Sequence, residues 1–191
     1  MLKLYGSTTS PFVRRIRILL ADKAHEYINM QIFEGPDRQV LRELNPTLKI
    51  PMLDDGGQII FDSRVIFRYL TEKFALGSLS WAQENQLTLI DSVNDALVHK
   101  LLTQRSQVEA DPQKLIFRLQ QERIETVLQA LEAQLTSGQF GDWGYPEICL
   151  YSMLDWALFR ELHSLQAYPA LRAFHAEHNN KAEVQATDPR E

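Results

Sequence analysis

From Ser80 onward the chain carries no strand pattern, and this asymmetry constrains its fold more than any other feature. Every alternating or β-rich run lies before that point. Leu2–Tyr5 is a short apolar run, and in Tyr27–Phe33 the residues Ile28, Met30 and Ile32 alternate with polar ones. Ile50-Pro51-Met52-Leu53 reads as a strand that begins at a proline. Asp54-Asp55-Gly56-Gly57 is its turn and Gln58–Phe61 the return, which makes a hairpin. Helical patterns separate these runs. Pro11–Ala24 places Val13, Ile16, Leu19 and Leu20 on one face, with Arg14, Arg15 and Arg17 mostly off it. Asp37–Leu44 is a short helix stopped by Asn45-Pro46. Asp62-Ser63 opens another, with Val65, Ile66, Tyr69 and Leu70 facing inward.

The resulting order is βαβ, then α, then ββα, a thioredoxin-like arrangement within residues 1–77. Residues 81–191 read as all-helical, so the fold class is α+β with two domains, 1–77 and 81–191. The predicted helices are Trp81–Val108, Pro112–Leu135, Pro146–Leu162 and Pro169–His178, with Gly138–Tyr145 as a loop. Pro146–Leu162 is nearly all apolar, which marks it as the buried centre of the helical domain. The tail after Asn179 is polar and is expected to fray.

Charge and cysteine content exclude several classes of function. Residues 1–77 carry 11 Lys/Arg against 9 Asp/Glu, a net +2, while residues 78–191 carry 9 against 16, a net −7. An acidic second part without a basic stripe argues against nucleic-acid binding. No apolar run approaches the roughly 20 residues of a membrane span. The lone cysteine, Cys149, rules out an internal disulfide framework and a multi-cysteine zinc site. None of the five histidines falls at a metal-binding spacing, so no metal is expected. A reducing cytoplasmic setting fits this content, as does the absence of a signal-peptide pattern before the early arginines.

The stretch Ser7-Thr8-Thr9-Ser10-Pro11-Phe12-Val13 joins the first strand to the first helix. Ser10 stands at the N-cap and Pro11 at N1, where a missing N–H costs little. The partial positive charge of the helix start favours an anion beside Ser10. Cap and anion site use the same N–H groups, so the local pattern fits both. The same holds for Asp62-Ser63 at the start of the later helix.

Four stretches together resemble the glutathione S-transferase superfamily, in that family's order and spacing. They are Ser7–Arg15, Asn45-Pro46-Thr47-Leu48-Lys49-Ile50-Pro51-Met52-Leu53, Phe61-Asp62-Ser63, and Leu150–Trp156. The resemblance covers nearly the whole chain and points to the small bacterial-type members with a Ser-Pro-Phe motif. It implies that glutathione is the co-substrate and that Ser10 hydrogen-bonds its sulfur. Redox relatives carry Cys-Pro-x-Cys at this turn; Ser10 and Val13 stand there instead, which excludes dithiol exchange. Ser7, Thr8 and Thr9 are nearby hydroxyls that could substitute for Ser10.

The resemblance further implies a cis-proline at Pro51, so that the backbone N–H and C=O of Ile50 pair with the cysteinyl backbone of glutathione. Lys49 is placed to reach the glycyl carboxylate, or to remain solvated. Ser63 and its helix N-terminus would hold the γ-glutamyl carboxylate, and Asp62 would face the ammonium. Relatives often have glycine at the position of Leu48. They usually open the central helix with a Ser/Thr cap and an Asp, positions filled here by Gly144 and Glu147. Two readings follow. One is an enzyme that activates the glutathione thiol for attack on a small electrophile, working as a two-fold homodimer. The other is a non-catalytic binding or regulatory protein on the same fold, similar to the stringent starvation proteins.

Overall fold

A computed structural model describes residues 1–191. The chain divides into two compact units, Met1–Ser78 together with Lys181–Glu191, and Leu79–Asn180.

The first unit contains β1 (Leu2–Gly6), α1 (Pro11–Leu19), β2 (His25–Asn29), α2 (Gly35–Leu44), β3 (Met52–Asp55), β4 (Gln58–Phe61) and α3 (Ser63–Phe74). The sheet order is β2-β1-β3-β4; β1 and β2 are parallel, and the other two pairings are antiparallel. α1 packs against α3, and Leu4, Val13, Ile16, Met52, Leu53, Ile66 and Leu70 are buried. Gly6 permits the close approach of α1 to β1. A Cβ at this position would lie 2.3 Å from Val13 Cγ2.

Several elements of the first unit differ from their sequence pattern. The alternation Ile28, Met30, Ile32 predicted a strand over 27–33, but β2 pairs with β1 only from Leu2↔His25 to Gly6↔Asn29. Pairing ends because β1 itself ends, where the chain turns away at Ser7. The second difference is in α1: Arg14 and Arg15 are 2% and 0% exposed, although the apolar stripe put both mostly outside it. Arg14 reaches the last segment of the chain, where Nη2 donates to Val184 O (3.1 Å) and Nε to Thr187 Oγ1 (3.3 Å).

That last segment was expected to fray. It instead forms a short helix, α8 (Ala182–Gln185), with Val184, Thr187 and Pro189 buried, and it groups with the first unit. The helical unit accordingly runs to Asn180, where the sequence pattern had carried the second domain to residue 191.

The second unit contains α4 (Trp81–Arg105), α5 (Leu115–Thr136), α6 (Tyr145–Phe159) and α7 (Pro169–His178). Ser80 and Gln83 form a reciprocal capping box at the start of α4. α6 is buried from Tyr145 through Ala157, in keeping with its apolar pattern. Its N-terminus is held by Glu147, which is 2% exposed. Oε1 accepts from Gly141 N (2.7 Å) and Oε2 from Gly144 N (2.9 Å). Gly144 has no side chain with which to cap, so the glutamate supplies the carboxylate half of the box and ties down the preceding loop.

Candidate glutathione site

Strand register brings the predicted site residues together. Tyr5 pairs with Met52, and Met52 with Phe61, so one row crosses β1, β3 and β4 at a single end of the sheet. The Ser7–Ser10 turn leaves β1 at that end, Ile50-Pro51 enters β3 there, and Asp62-Ser63 leaves β4 there. With strands about 4.8 Å apart, the three segments lie within roughly 10 Å of one another in their strand rows. The same geometry puts the N-termini of α1 and α3 at this end. Two helix starts beside one another make it favourable for negative charge.

At the first helix, Ser10 Oγ accepts from Val13 N at 3.3 Å. Arg14 N donates to Ser10 O and Ser10 N to Ser7 O, each at 3.0 Å. Ser7 and Thr9 hydroxyls are bonded to each other at 3.2 Å. The Ser10 hydroxyl therefore receives a hydrogen bond while its own proton is uncommitted. Such a group can donate to a thiolate without giving up its capping role. Among the alternatives, Ser7 and Thr9 are engaged with each other, and Thr8 alone shares an uncommitted hydroxyl.

The turn is buttressed from β2. Asn29 Oδ1 accepts from Thr8 N at 3.1 Å, and Tyr27 Oη donates to Gly6 O at 3.0 Å. Burial raises the Tyr27 phenol to about 12, against a lesser opposing effect of the Arg17 guanidinium, so the donor stays protonated. The guanidinium lies over the Tyr27 ring at 4.3 Å.

At the second segment the Ile50–Pro51 peptide is cis, as the resemblance implied. The preceding loop is organised by Asn45, whose side chain is fully buried. Its Nδ2 donates to Lys49 O (2.8 Å), and its Oδ1 accepts from Thr47 N (3.0 Å) and Thr47 Oγ1 (2.7 Å). Leu48 lies in the left-handed region at φ 56°, which is the conformation that favours glycine at this position. The Lys49 side chain is exposed.

At the third segment Asp62 is the N-cap of α3, with Oδ1 accepting from Arg64 N (2.9 Å) and Val65 N (3.3 Å). Its backbone has φ 74° and ψ 130°, which is unfavourable for a residue with a Cβ. The second carboxylate oxygen remains open to solvent-side partners. Ser63 is buried at the first position of α3.

Three residues that build this end of the sheet were not evident from the sequence. Asn45 was visible as a helix stop and as the first residue of the stretch leading to Ile50-Pro51, with no bonding role assigned to it, and Asn29 and Tyr27 were visible as members of a strand. Each acts through a partner at least two residues away, and a pattern of polarity does not reveal such a bond.

Residues 4–78 match the family model described as Glutathione S-transferase, N-terminal domain. Glutathione S-transferase 3 of Zea mays is 39% identical over 77 residues, 39% of this chain and 35% of that protein. A stringent starvation protein A homolog of Pasteurella multocida is 32% identical over 74 residues, again 39% of this chain and 35% of that protein. The chain thus spans about a third of the length of these curated relatives.

Among solved structures, a glutathione S-transferase from Methylobacillus flagellatus KT with GSH bound superposes with a TM-score of 0.87. It is 24% identical and covers 99% of this chain and 100% of its own. A glutathione transferase family member from Pseudomonas fluorescens Pf-5 with bound glutathione has a TM-score of 0.77 at 27% identity, covering 99% of each chain. The chain has the glutathione S-transferase fold. These similarities support its placement in the glutathione S-transferase superfamily.

Proposed function

We propose that this protein binds glutathione at the end of the sheet shared by β1, β3 and β4, and ionises its thiol for attack on a small electrophile. The observation that carries the reading is the Tyr5–Met52–Phe61 row, which assembles Ser10, Ile50-Pro51 and Asp62-Ser63 beside two helix N-termini. Ser63 and the α3 N-terminus take the γ-glutamyl carboxylate, and Asp62 takes the ammonium. Ile50 pairs with the cysteinyl backbone, and Lys49 neutralises the glycyl carboxylate.

Ser10 donates a hydrogen bond from its hydroxyl to the sulfur. A free thiol has a pKa of roughly 8.5, and a hydroxyl donor at a helix start favours the thiolate. The thiol proton leaves to solvent, and the thiolate forms the new bond to the electrophile. Ser10 is thus the catalytic residue without being the nucleophile. Replacing Ser10 with Ala is expected to lower conjugation far more than glutathione affinity. Unchanged conjugation would assign the sulfur contact to another group, with Thr8 as the neighbouring uncommitted hydroxyl.

The working form in this proposal is a homodimer in the cytoplasm. The opposite net charges of the two chain segments are compatible with pairing between them, and sedimentation of the purified protein tests it. The stringent starvation protein match favours a second reading, a binding protein that has lost catalysis. Saturable glutathione binding without conjugation of any electrophile would select it.

A further inference from the structure

Arg14 and Arg17 connect the C-terminal segment to the Ser10 turn by two routes, both inside the first unit. In the first, the Arg14 guanidinium donates to Val184 O and Thr187 Oγ1, while the Arg14 backbone N–H donates to Ser10 O. Thr187 Oγ1 lies 2.9 Å from Glu183 O and 3.2 Å from Val184 O, so its proton serves its own helix while its lone pair receives Arg14. In the second, Arg17 Nη2 donates to Ala186 O at 3.4 Å. The same guanidinium covers the Tyr27 ring, and Tyr27 Oη holds Gly6 O immediately before the turn. Both acceptor carbonyls lie at the C-terminal end of α8, where partial negative charge favours a cation.

We propose that residues 181–191 are a strap that fixes α1 and, through it, the Ser10 turn, with Arg14 and Arg17 as positioning residues. The Arg14 route runs through buried and half-buried groups from Val184 and Thr187 to Ser10, while the Arg17 route starts at the exposed Ala186 carbonyl and passes half-buried Tyr27 to Gly6. Its consequence for glutathione rests on the reading of Ser10 above. Its mechanical content does not, and is tested separately.

The test is amide hydrogen exchange on the full chain, on a form lacking residues 181–191, and on Thr187→Val. The amides to follow are Val13, Arg14 and Leu20, which donate within α1, against those of β3 and β4. The strap predicts exchange about tenfold faster or more in α1 of the shortened form, with β3 and β4 little changed. Thr187→Val, which keeps the side-chain volume, is expected to move the same amides by a smaller factor. Equal exchange in all three proteins would overturn the proposal. So would a rise shared uniformly by α1, β3 and β4, which would report only lower global stability. Where conjugation is measurable, Arg14→Met should lower its rate more than glutathione affinity and shift its pH midpoint upward, with partial recovery in Arg14→Lys. A wild-type protein that binds no glutathione would refute the functional reading and leave the exchange result standing.

Discussion

Gly6→Ala places a methyl group against the residue that holds Ser10 in position. The added Cβ would lie 2.3 Å from Val13 Cγ2, 2.8 Å from Cγ1 and 3.2 Å from Cβ. Carbon atoms pack comfortably at about 3.5–4.0 Å, so relief requires roughly 1 Å of movement at the first turn of α1. Val13 is fully buried, and its branched side chain presents a methyl to Gly6 in the closest contacts. Overpacking of this kind costs about 2–3 kcal/mol, which for a chain of this size lowers Tm by about 4–12 °C. Urea unfolding followed by circular dichroism gives the stability change directly. Val13→Ala removes the two clashing methyls and by itself costs about 2 kcal/mol. The double variant should be more stable than the sum of the single effects by about 1 kcal/mol or more. A Gly6→Ala protein within about 0.5 kcal/mol of wild type, or strict additivity in the double variant, would refute the steric account.

Other substitutions test separate parts of the structure. Glu147→Ala removes the carboxylate from two part-buried hydrogen bonds, to Gly141 N and Gly144 N, and should cost about 1–3 kcal/mol in urea unfolding, with Glu147→Gln keeping part of that. Leu48→Gly should change stability by less than about 1 kcal/mol, because relief of the left-handed backbone offsets the entropy of glycine; Leu48→Val should destabilise by about 1–2 kcal/mol. His163 has its pKa pushed below the usual 6.5, first by burial and then by the Lys100 ammonium, against an opposing Glu125. The unfolded chain therefore takes up the proton first as pH falls, and the stability present above about 6.5 declines below it. The urea midpoint of wild type should drop between about pH 7 and 5 more than that of His163→Gln.

The order of elements was legible because strand and helix periods change cleanly along the chain, and the hairpin at Asp54–Gly57 and the caps at Ser10 and Asp62 carry local chemistry. Burial of Arg14 was not legible, since its acceptors, Val184 O and Thr187 Oγ1, lie about 170 residues away in sequence. The order of the C-terminal segment escaped for the same reason. Its polar composition suggests fraying until its carbonyls are seen to receive two arginines. The end of β2 depended on where its neighbour β1 stops, which no pattern within β2 records. At the candidate site the principal residues could be named from motifs, but the scaffold of Asn29, Tyr27 and Asn45 required the fold.

Titration of the isotopically labelled protein with reduced glutathione, followed by backbone amide NMR, tests the central claim most directly. The account predicts saturable shifts concentrated at Val13, Ile50, Ser63 and Arg64, at the end of the sheet where β3 begins. Absence of shifts at millimolar glutathione in the folded protein, or saturable shifts confined to residues elsewhere, would contradict it.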